Sequence, residues 1–473
     1  MLAGRKDQSC RTILAELDRR GELLAINEPV DLEYEVSAVF SLVDDRAAVR
    51  LDNVKGHRLP IFGNILSSRE RIALALGTTT AGLQDALLAA IASPIAPVTV
   101  DEAPVQQIVV RGDVLSGLPI PKFFARETGA YITAGLIVAR DPETGLGNAS
   151  YARLKVLGPD TALIGIAPNH HLSRIASKAH ARGEALPFAV VLGAHPAIQL
   201  AACLYLGLGD DEMECAGRLL GEPVRMVKCQ SIDLSVPAEA EIVIEGHIPP
   251  GEPIVEGLVS EYHGMYEDYG TGLRTIFSCL TRRGDAMMQV IEPGYHMEHI
   301  YLCAVPIAAG LRAALNRALP NVTDVAVTAS GAGRTDVVVQ LSKPRPGQAR
   351  RVMMVCWGAV SIVKNVTVVD ADVDPWDPAA VEVAKLTRLR AERDLLVLPG
   401  LPADRSEPQE DAGVVTKIGY DATCKPGDRK EGFEQALPPA EVVARMRSRL
   451  STTHPHLLAA QGACSSQREP AVQ

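Results

Sequence analysis

Residues 11–26, RTILAELDRRGELLAI, place Ile13, Leu14 and Leu17 at helical spacing before Gly21, and a short apolar run follows. The pattern predicts a helix feeding a strand. A second helix is expected at 34–44, strands at VRLDNV and LPIFGNIL, and a further helix around SRERIALALG at 68–77. From GLPIPKF at 117–123 the texture changes to short β-branched or alternating runs broken by Gly and Pro, among them AYITAGLIVARD, ASYARLKVLG, PFAVVLGAH, AEIVIEGHI and TIFSCLTRR. Many short strands joined by turns predict a barrel-like or sandwich sheet. Helices interrupt it at HLSRIASKAHARGE and DEMECAGRLLGE.

Beyond 302 the pattern alternates again. AVPIAAGLRAALNRALP reads as a helix, VTDVAVTASGAGRTDVVVQLSK as two strands around a glycine-rich hairpin loop, RRVMMVCWGAV as a third strand and KNVTVVDADVD as a buried fourth. Such alternation predicts a second α/β domain. LPPAEVVARMRSRLST at 436–451 begins with prolines suited to a first helical turn, and the polar tail from 452 is expected to be disordered. The expected fold class is therefore a multidomain α+β or α/β chain. Its parts are an N-terminal α/β unit at 1–116, a strand-rich domain at 117–301, a C-terminal α/β domain at 302–435, and a terminal helix and tail at 436–473. No internal repeat is visible.

Composition narrows this picture. A chain of 473 residues exceeds what one core usually organises, and 47% hydrophobic with 22% charged residues is the balance of a globular enzyme. A net charge of −10 argues against nucleic acid or an anionic membrane as partner. The nine cysteines are odd in number, scattered and never in a CxxC pair, so neither a disulfide framework nor a zinc ribbon is indicated, and a reducing cytoplasm is the expected setting. MLAGRKDQSC has no apolar core of a secretory signal. The apolar stretch at 187–209 is interrupted by His195, Pro196 and Gln199 and fits a buried strand, turn and helix rather than a membrane span.

Polar residues embedded in apolar segments carry the chemical information, because an unpaired buried charge is costly. In ASYARLKVLG, strand alternation puts Tyr151, Arg153 and Lys155 on one face, and EGLVSEYHG supplies Glu256 and Glu261 as partners for an inward Arg153. Such a network either is a structural ion-pair cluster or raises one glutamate towards neutrality for general acid–base work. NHH at 169–171 precedes a helix; with Asn148 and Glu212 it offers an amide oxygen, an imidazole and a carboxylate for a divalent ion such as Mg or Mn, or else merely starts and packs that helix. HMEH at 296–299 has an i, i+3 His pair that either binds a metal or, the favoured reading, marks a helix start near a pocket mouth, and His263 is either a proton partner or a packed turn residue. There is no P-loop, no GxSxG and no full GxGxxG run.

Taken together, NASYAR, NHHLSRIA, GDDE, EGLVSEYHG and TKIGYDATCK, in that order, resemble the UbiD family of prenylated-flavin-dependent reversible decarboxylases, and the likeness runs from about 11 to about 430. The resemblance implies a central split β-barrel at 117–301 that binds prenylated FMN and a C-terminal domain making dimer contacts. It implies that Asn148, His171 and Glu212 hold Mn2+ or Mg2+ against the flavin phosphate, and that carbonyls around 201–204 bind K+. Ser150, Tyr151, Ala152 and Arg153 would line the cofactor, His170 would sit at its flavin side, and Lys417 would approach its phosphate. Arg153, Glu256 and Glu261 would be catalytic, Arg153 steering the carboxylate, Glu256 holding Arg153 and Glu261 moving the proton. The expected substrate is a small aromatic, heteroaromatic or α,β-unsaturated carboxylic acid that releases CO2, with a separate flavin prenyltransferase supplying the cofactor. A flavin reductase using plain FMN, and a non-catalytic subunit, are the competing expectations.

Overall fold

The computed structural model describes residues 6–454 apart from 168–169, 208, 269, 426, 428–432 and 434–435. The chain forms two compact units, one through Gly310 together with Ala329–Arg334, the other Leu311–Thr328 with the chain from Thr335 onward.

The first unit begins as the hydrophobic pattern requires. Helix Arg11–Arg19 buries Ile13, Leu14 and Leu17, and strand Leu23–Ile26 pairs in parallel with Ala48–Leu51. Ile61–Gly63 and Met288–Gln289 complete a four-stranded sheet, so a strand from far downstream in the chain closes the N-terminal layer. Helix Arg69–Leu76 starts where Ser68 accepts a hydrogen bond from the Arg71 amide at 3.2 Å, and it stops at Gly77 in the left-handed region. Helix Leu83–Ala92, which buries Leu83, Leu87 and Ala90, adds an element that the sequence reading does not contain.

The main body is a ten-stranded, largely antiparallel sheet. Its path runs Tyr131–Ile132, Leu154–Gly158, Thr161–Ile164, Thr271–Arg282, Ile242–Ile248, Leu186–Leu192, Leu136–Arg140 and Gly147–Tyr151, and this hydrogen-bonded path does not close among the described residues. Thr271–Arg282 is its spine, pairing also with Ile108–Val110 and Ile254–Val255. One expectation is corrected here. Tyr151, Arg153 and Lys155 do not lie on one continuous strand, because pairing breaks at Ala152–Arg153 between Gly147–Tyr151 and Leu154–Gly158. The break sends the Tyr151 hydroxyl to Gln199 at 3.3 Å, while Arg153 and Lys155 both reach the segment at Glu256.

In the second unit five strands lie in the order Val322–Val327, Asp336–Leu341, Asn365–Asp370, Val414–Asp421, Leu395–Pro402. The first pair is an antiparallel hairpin, whereas the next two pairings are parallel. A parallel pair needs a long crossover, and Gln348–Ala359 supplies it as a helix. This corrects the expectation of a strand at RRVMMVCWGAV. Ala349, Val352, Met353, Cys356 and Trp357 are the buried positions, a helical stripe that outweighs the β-branched and aromatic content of the run. Helix Ala440–Thr453 buries no residue, and the tail beyond 454 lies outside the described residues. Among those residues one helix, Met297–Asn316, is long and apolar enough to cross a membrane, and most of that stretch is buried in the fold.

Candidate active site

The break after Tyr151 aims Arg153 at two carboxylates. Its backbone is pinned on both sides: the Ala152 amide donates to Gly135 O at 3.3 Å, and the Arg153 carbonyl accepts from Gly165 N at 3.1 Å. The guanidinium donates through Nε to Glu256 Oε1 at 2.7 Å and through Nη2 to Glu256 Oε2 at 2.8 Å, a two-pronged pair, and through Nη1 to Glu261 Oε1 at 3.0 Å. Lys155 Nζ and Thr128 Oγ1 hold the Glu256 carbonyl at 2.7 and 3.0 Å. Two glycines leave room for the pair. A Cβ on Gly270 would stand 2.9 Å from Glu256 Oε2, and one on Gly165 would crowd both Arg153 and Glu256.

The two carboxylates differ in access. The Glu256 side chain is fully enclosed, whereas those of Glu261 and Arg153 keep 12% and 21% of their surface open, so the accessible edge of the network is Glu261 and Arg153. Glu261 opens a tight turn closed by its amide to Met265 O at 3.0 Å, with Gly264 at φ +80°. His263 stays within that turn, its Nδ1 accepting from Met265 N at 3.1 Å and its Nε2 lying 3.5 Å from Glu267. Beside the turn a cavity of about 230 Å³ is lined by Phe124, Ser260, Gly264, Met265, Tyr266 and His296. Phe124 stacks on His296 with rings 6.2 Å apart.

A second group assembles around strand Gly147–Tyr151. Asn148 Nδ2 donates to Glu212 Oε1 at 3.3 Å, and Ala149 N donates to Glu212 Oε2 at 2.8 Å. Glu212 is the first residue of helix Glu212–Leu220, started by the Asp211 side chain, and His171 is the first residue of helix His171–Ala181. Asn148 and His171 line one cavity with Asp210 and Lys178. Burial, with Asp211 and Asp210 nearby, pushes the Glu212 carboxyl up to about 7; burial and Arg174 push His171 down, which keeps its imidazole neutral. The buried oxygens Asn148 Oδ1 and Ser150 Oγ have no hydrogen-bond partner. An orphaned amide oxygen, a crowded carboxylate and a neutral imidazole fit a divalent cation, which would relieve all three at once. Among the described residues no three His, Cys, Asp or Glu side chains cluster as a metal cage, so the amide oxygen is essential to this set.

His170 precedes its helix with an exposed side chain and makes no cap bond. Lys417 belongs to the second unit, where its buried ammonium donates to the Ser361 carbonyl and burial pushes its pKa down. Helix Pro196–Ala201 ends in a turn over Ala202–Leu204, with the Leu204 amide on Ala201 O at 3.1 Å.

The structure adds polar groups that sequence reasoning did not single out. Glu292, raised to about 8 by burial, accepts from Ser37 and Ser41 and lies 3.4 Å from His296, itself pushed down to about 4 by burial. Arg334, from the glycine-rich loop, donates through Nη2 to His299 Nε2 and to Cys303 Sγ, both at 3.0 Å, and lies over the Tyr262 ring at 4.9 Å. Burial, then Arg334, pushes His299 down to about 3; the hydrogen bond from Cys203 and the charge of Arg334 hold Cys303 below the ordinary thiol range. The available signal was an arginine inside a run of small residues, where a hairpin tip has no structural use for one.

An arginine braced by a sealed carboxylate beside a second, open carboxylate is an arrangement able to bind an anion and to move a proton. Residues 14–91, 97–296 and 300–422 match, in turn, the N-terminal, Rift-related and C-terminal domains of 3-octaprenyl-4-hydroxybenzoate carboxy-lyase, UbiD. The chain is 32% identical to an anhydromevalonate phosphate decarboxylase of Methanothermobacter thermautotrophicus over 86% of this chain and 96% of that one. It resembles the UbiD-class enzyme HmfF of Pelotomaculum thermopropionicum in complex with FMN, at 35% identity and TM-score 0.88, covering 91% of this chain and 98% of that one. An evolved dimeric form of HmfF in complex with prFMN gives 34% identity and TM-score 0.85 over 92% and 97% of the two chains. The 3,4-dihydroxybenzoic acid decarboxylase of Enterobacter cloacae gives 27% and 0.86 over 95% and 99%. The chain belongs to the UbiD family and is a carboxy-lyase.

Proposed function

We propose that this enzyme reversibly decarboxylates an aromatic or heteroaromatic acid, using prenylated FMN carried on the ten-stranded sheet as a split barrel. The observation that carries this reading is the Arg153–Glu256–Glu261 network, in which the fully buried carboxylate holds the arginine and the accessible carboxylate opens the turn whose Gly264 and Met265 line the cavity. Asn148, His171 and Glu212 would hold Mn2+ or Mg2+ at the cofactor phosphate, with carbonyls at 201–204 binding K+. Ser150, Tyr151, Ala152 and His170 would line the flavin. The prenylated flavin supplies an electron sink when bound.

The protein's own part is to orient and to move one proton. Arg153 fixes the substrate carboxylate. As the C–C bond breaks, CO2 leaves and the electron pair stays with the substrate carbon, which then takes the proton from a Glu261 oxygen; solvent water returns a proton to Glu261 before the next turnover. The related anhydromevalonate phosphate decarboxylase favours a second reading, an acyclic α,β-unsaturated acid, with the same roles for the same residues. The enzyme works in the cytoplasm as a homodimer or higher homo-oligomer supplied by a flavin prenyltransferase.

The test is protein co-produced with such a prenyltransferase. The mass of the released small molecule should be that of prenylated FMN, and Glu261→Gln should keep that molecule while losing CO2 release. Plain FMN that NAD(P)H reduces would move the assignment to a flavin reductase, and full turnover by Glu261→Gln would remove the proton role.

A further inference from the structure

Of the eight described cysteines, Cys10, Cys215, Cys279 and Cys356 are buried, whereas Cys203 and Cys303 are among those that keep part of their surface open. These two come from distant segments and meet thiol to thiol in a hydrogen bond. Cys203 lies in the turn that ends helix Pro196–Ala201, its amide pinned to Leu200 O at 3.1 Å. Cys303 lies in the second turn of helix Met297–Asn316. Both backbones are held, so the two sulfurs face each other from fixed supports. A third group singles the pair out. Arg334 Nη2 donates to Cys303 Sγ at 3.0 Å, and Gly333 brings it there: at φ +69° a Cβ would meet the Ile300 carbonyl at 2.5 Å, so the loop backbone rests directly on the helix. Cysteines that react sit beside a cation with some surface open, while those enclosed among apolar groups are inert. Cys229 and Cys279 give the contrast: they also lie near each other, but beside the buried carboxylate of Glu245, which disfavours negative charge on either sulfur.

We propose that Cys203 and Cys303 are a modification site, which a hydroperoxide converts to a disulfide tying the 202–204 turn to helix Met297–Asn316. Cys303 Sγ attacks one oxygen of hydrogen peroxide and the O–O bond breaks; sulfur is oxidised to a sulfenic acid, and the departing oxygen takes the thiol proton and leaves as water. Cys203 Sγ then attacks Cys303 Sγ. The S–O bond breaks, the S–S bond forms, and hydroxide leaves with the Cys203 proton as a second water. Arg334 steadies the negative charge that passes to the departing oxygen. The bridge reaches the centre by a short route. It draws Cys303 Sγ towards Cys203 and away from Arg334, which lies over the Tyr262 ring at 4.9 Å, next to Glu261. Tyr151 is an electrostatic neighbour of both sulfurs, so the same bridge disturbs the site along strand Gly147–Tyr151. Oxidation therefore switches the enzyme off reversibly.

The test treats the full-chain holoenzyme with hydrogen peroxide, caps the remaining thiols with N-ethylmaleimide and reads the tryptic peptides by mass. Residues 183–218 should appear joined to 284–312, with fragmentation placing the link at Cys203 rather than at Cys215 of the same peptide, and dithiothreitol should undo it. Cys203→Ser should instead leave Cys303 as a sulfenic acid that dimedone captures, and Arg334→Gln should slow the bridge about 10-fold or more. Release of CO2 should fall about 10-fold or more on bridging and recover with dithiothreitol. The peptide masses involve no substrate; if the reduced enzyme releases no CO2 from any acid, the decarboxylase reading fails and the masses alone decide the site. Both cysteines capped by N-ethylmaleimide after the peroxide, or Cys229 joined to Cys279 as readily, overturns the site. A bridged protein that releases CO2 as fast as the reduced one overturns the switch.

Discussion

Replacing Glu256 with Gln separates holding from chemistry. The pair with Arg153 consists of two bonds of 2.7 and 2.8 Å to a fully enclosed carboxylate. The amide keeps one acceptor and turns an NH2 towards a guanidinium N–H, so one bond is lost and one donor faces another. Breaking a buried pair costs about 3–5 kcal/mol. Arg153 retains Glu261 at 3.0 Å and 21% of its side-chain surface, so solvent and the second carboxylate share the loss, and about 2–3 kcal/mol is the expected destabilisation. In calorimetry of the protein without cofactor this should lower the first unfolding transition by about 5 °C. An arginine free to swing by 1 Å should also cost CO2 release about 100-fold or more. Glu261→Gln, which touches one exposed-edge bond, should move the same transition by less than about 1 °C while losing turnover. If Glu256→Gln melts like wild type and Glu261→Gln does not, the holding role belongs to Glu261 and the assignment of the two glutamates is reversed.

Two further outcomes are expected. Glu292, raised to about 8, keeps its proton in the folded state from its ordinary range near 4.5 up to about pH 8, whereas the unfolded chain loses it; stability therefore falls as pH rises through that window, by up to about 1.4 kcal/mol per unit. Glu292→Gln should flatten the fall in melting temperature between pH 5 and 8, and an unchanged slope would locate the titration elsewhere. Glu212→Gln should lower the manganese retained through gel filtration, measured by elemental mass spectrometry, more than about 10-fold, and equal retention would remove Glu212 from the cation site.

Much of this centre was legible because its residues violate their surroundings. Arg153 sits in an apolar strand run, and Glu256 and Glu261 flank only Gly, Leu, Val and Ser, so pairing was the inexpensive way to bury them. The register was not legible: alternation assumes an unbroken strand, and the break at Ala152–Arg153 depends on Gly135 and Gly165 lying alongside. RRVMMVCWGAV misleads because its composition is strand-like while its buried positions recur at helical spacing, and only the parallel pairing of its neighbours demands a crossover there. SGAGRT was readable as a hairpin loop from its glycines. That the loop brings Arg334 to His299 and Cys303 depends on a long-range approach that local pattern does not encode.

The grouping of Ala329–Arg334 with residues before 310 has a genetic consequence. The first unit is not a contiguous stretch of the gene, since the path leaves it after Gly310, returns for six residues and leaves again. A single recombination breakpoint near 310 would preserve Arg153, Glu256 and Glu261 yet exchange the loop that carries Arg334. Shuffling between relatives at that position would draw His299 and Cys303 from one parent and Arg334 from the other, so a contact set that is continuous in space would be rebuilt from two genes.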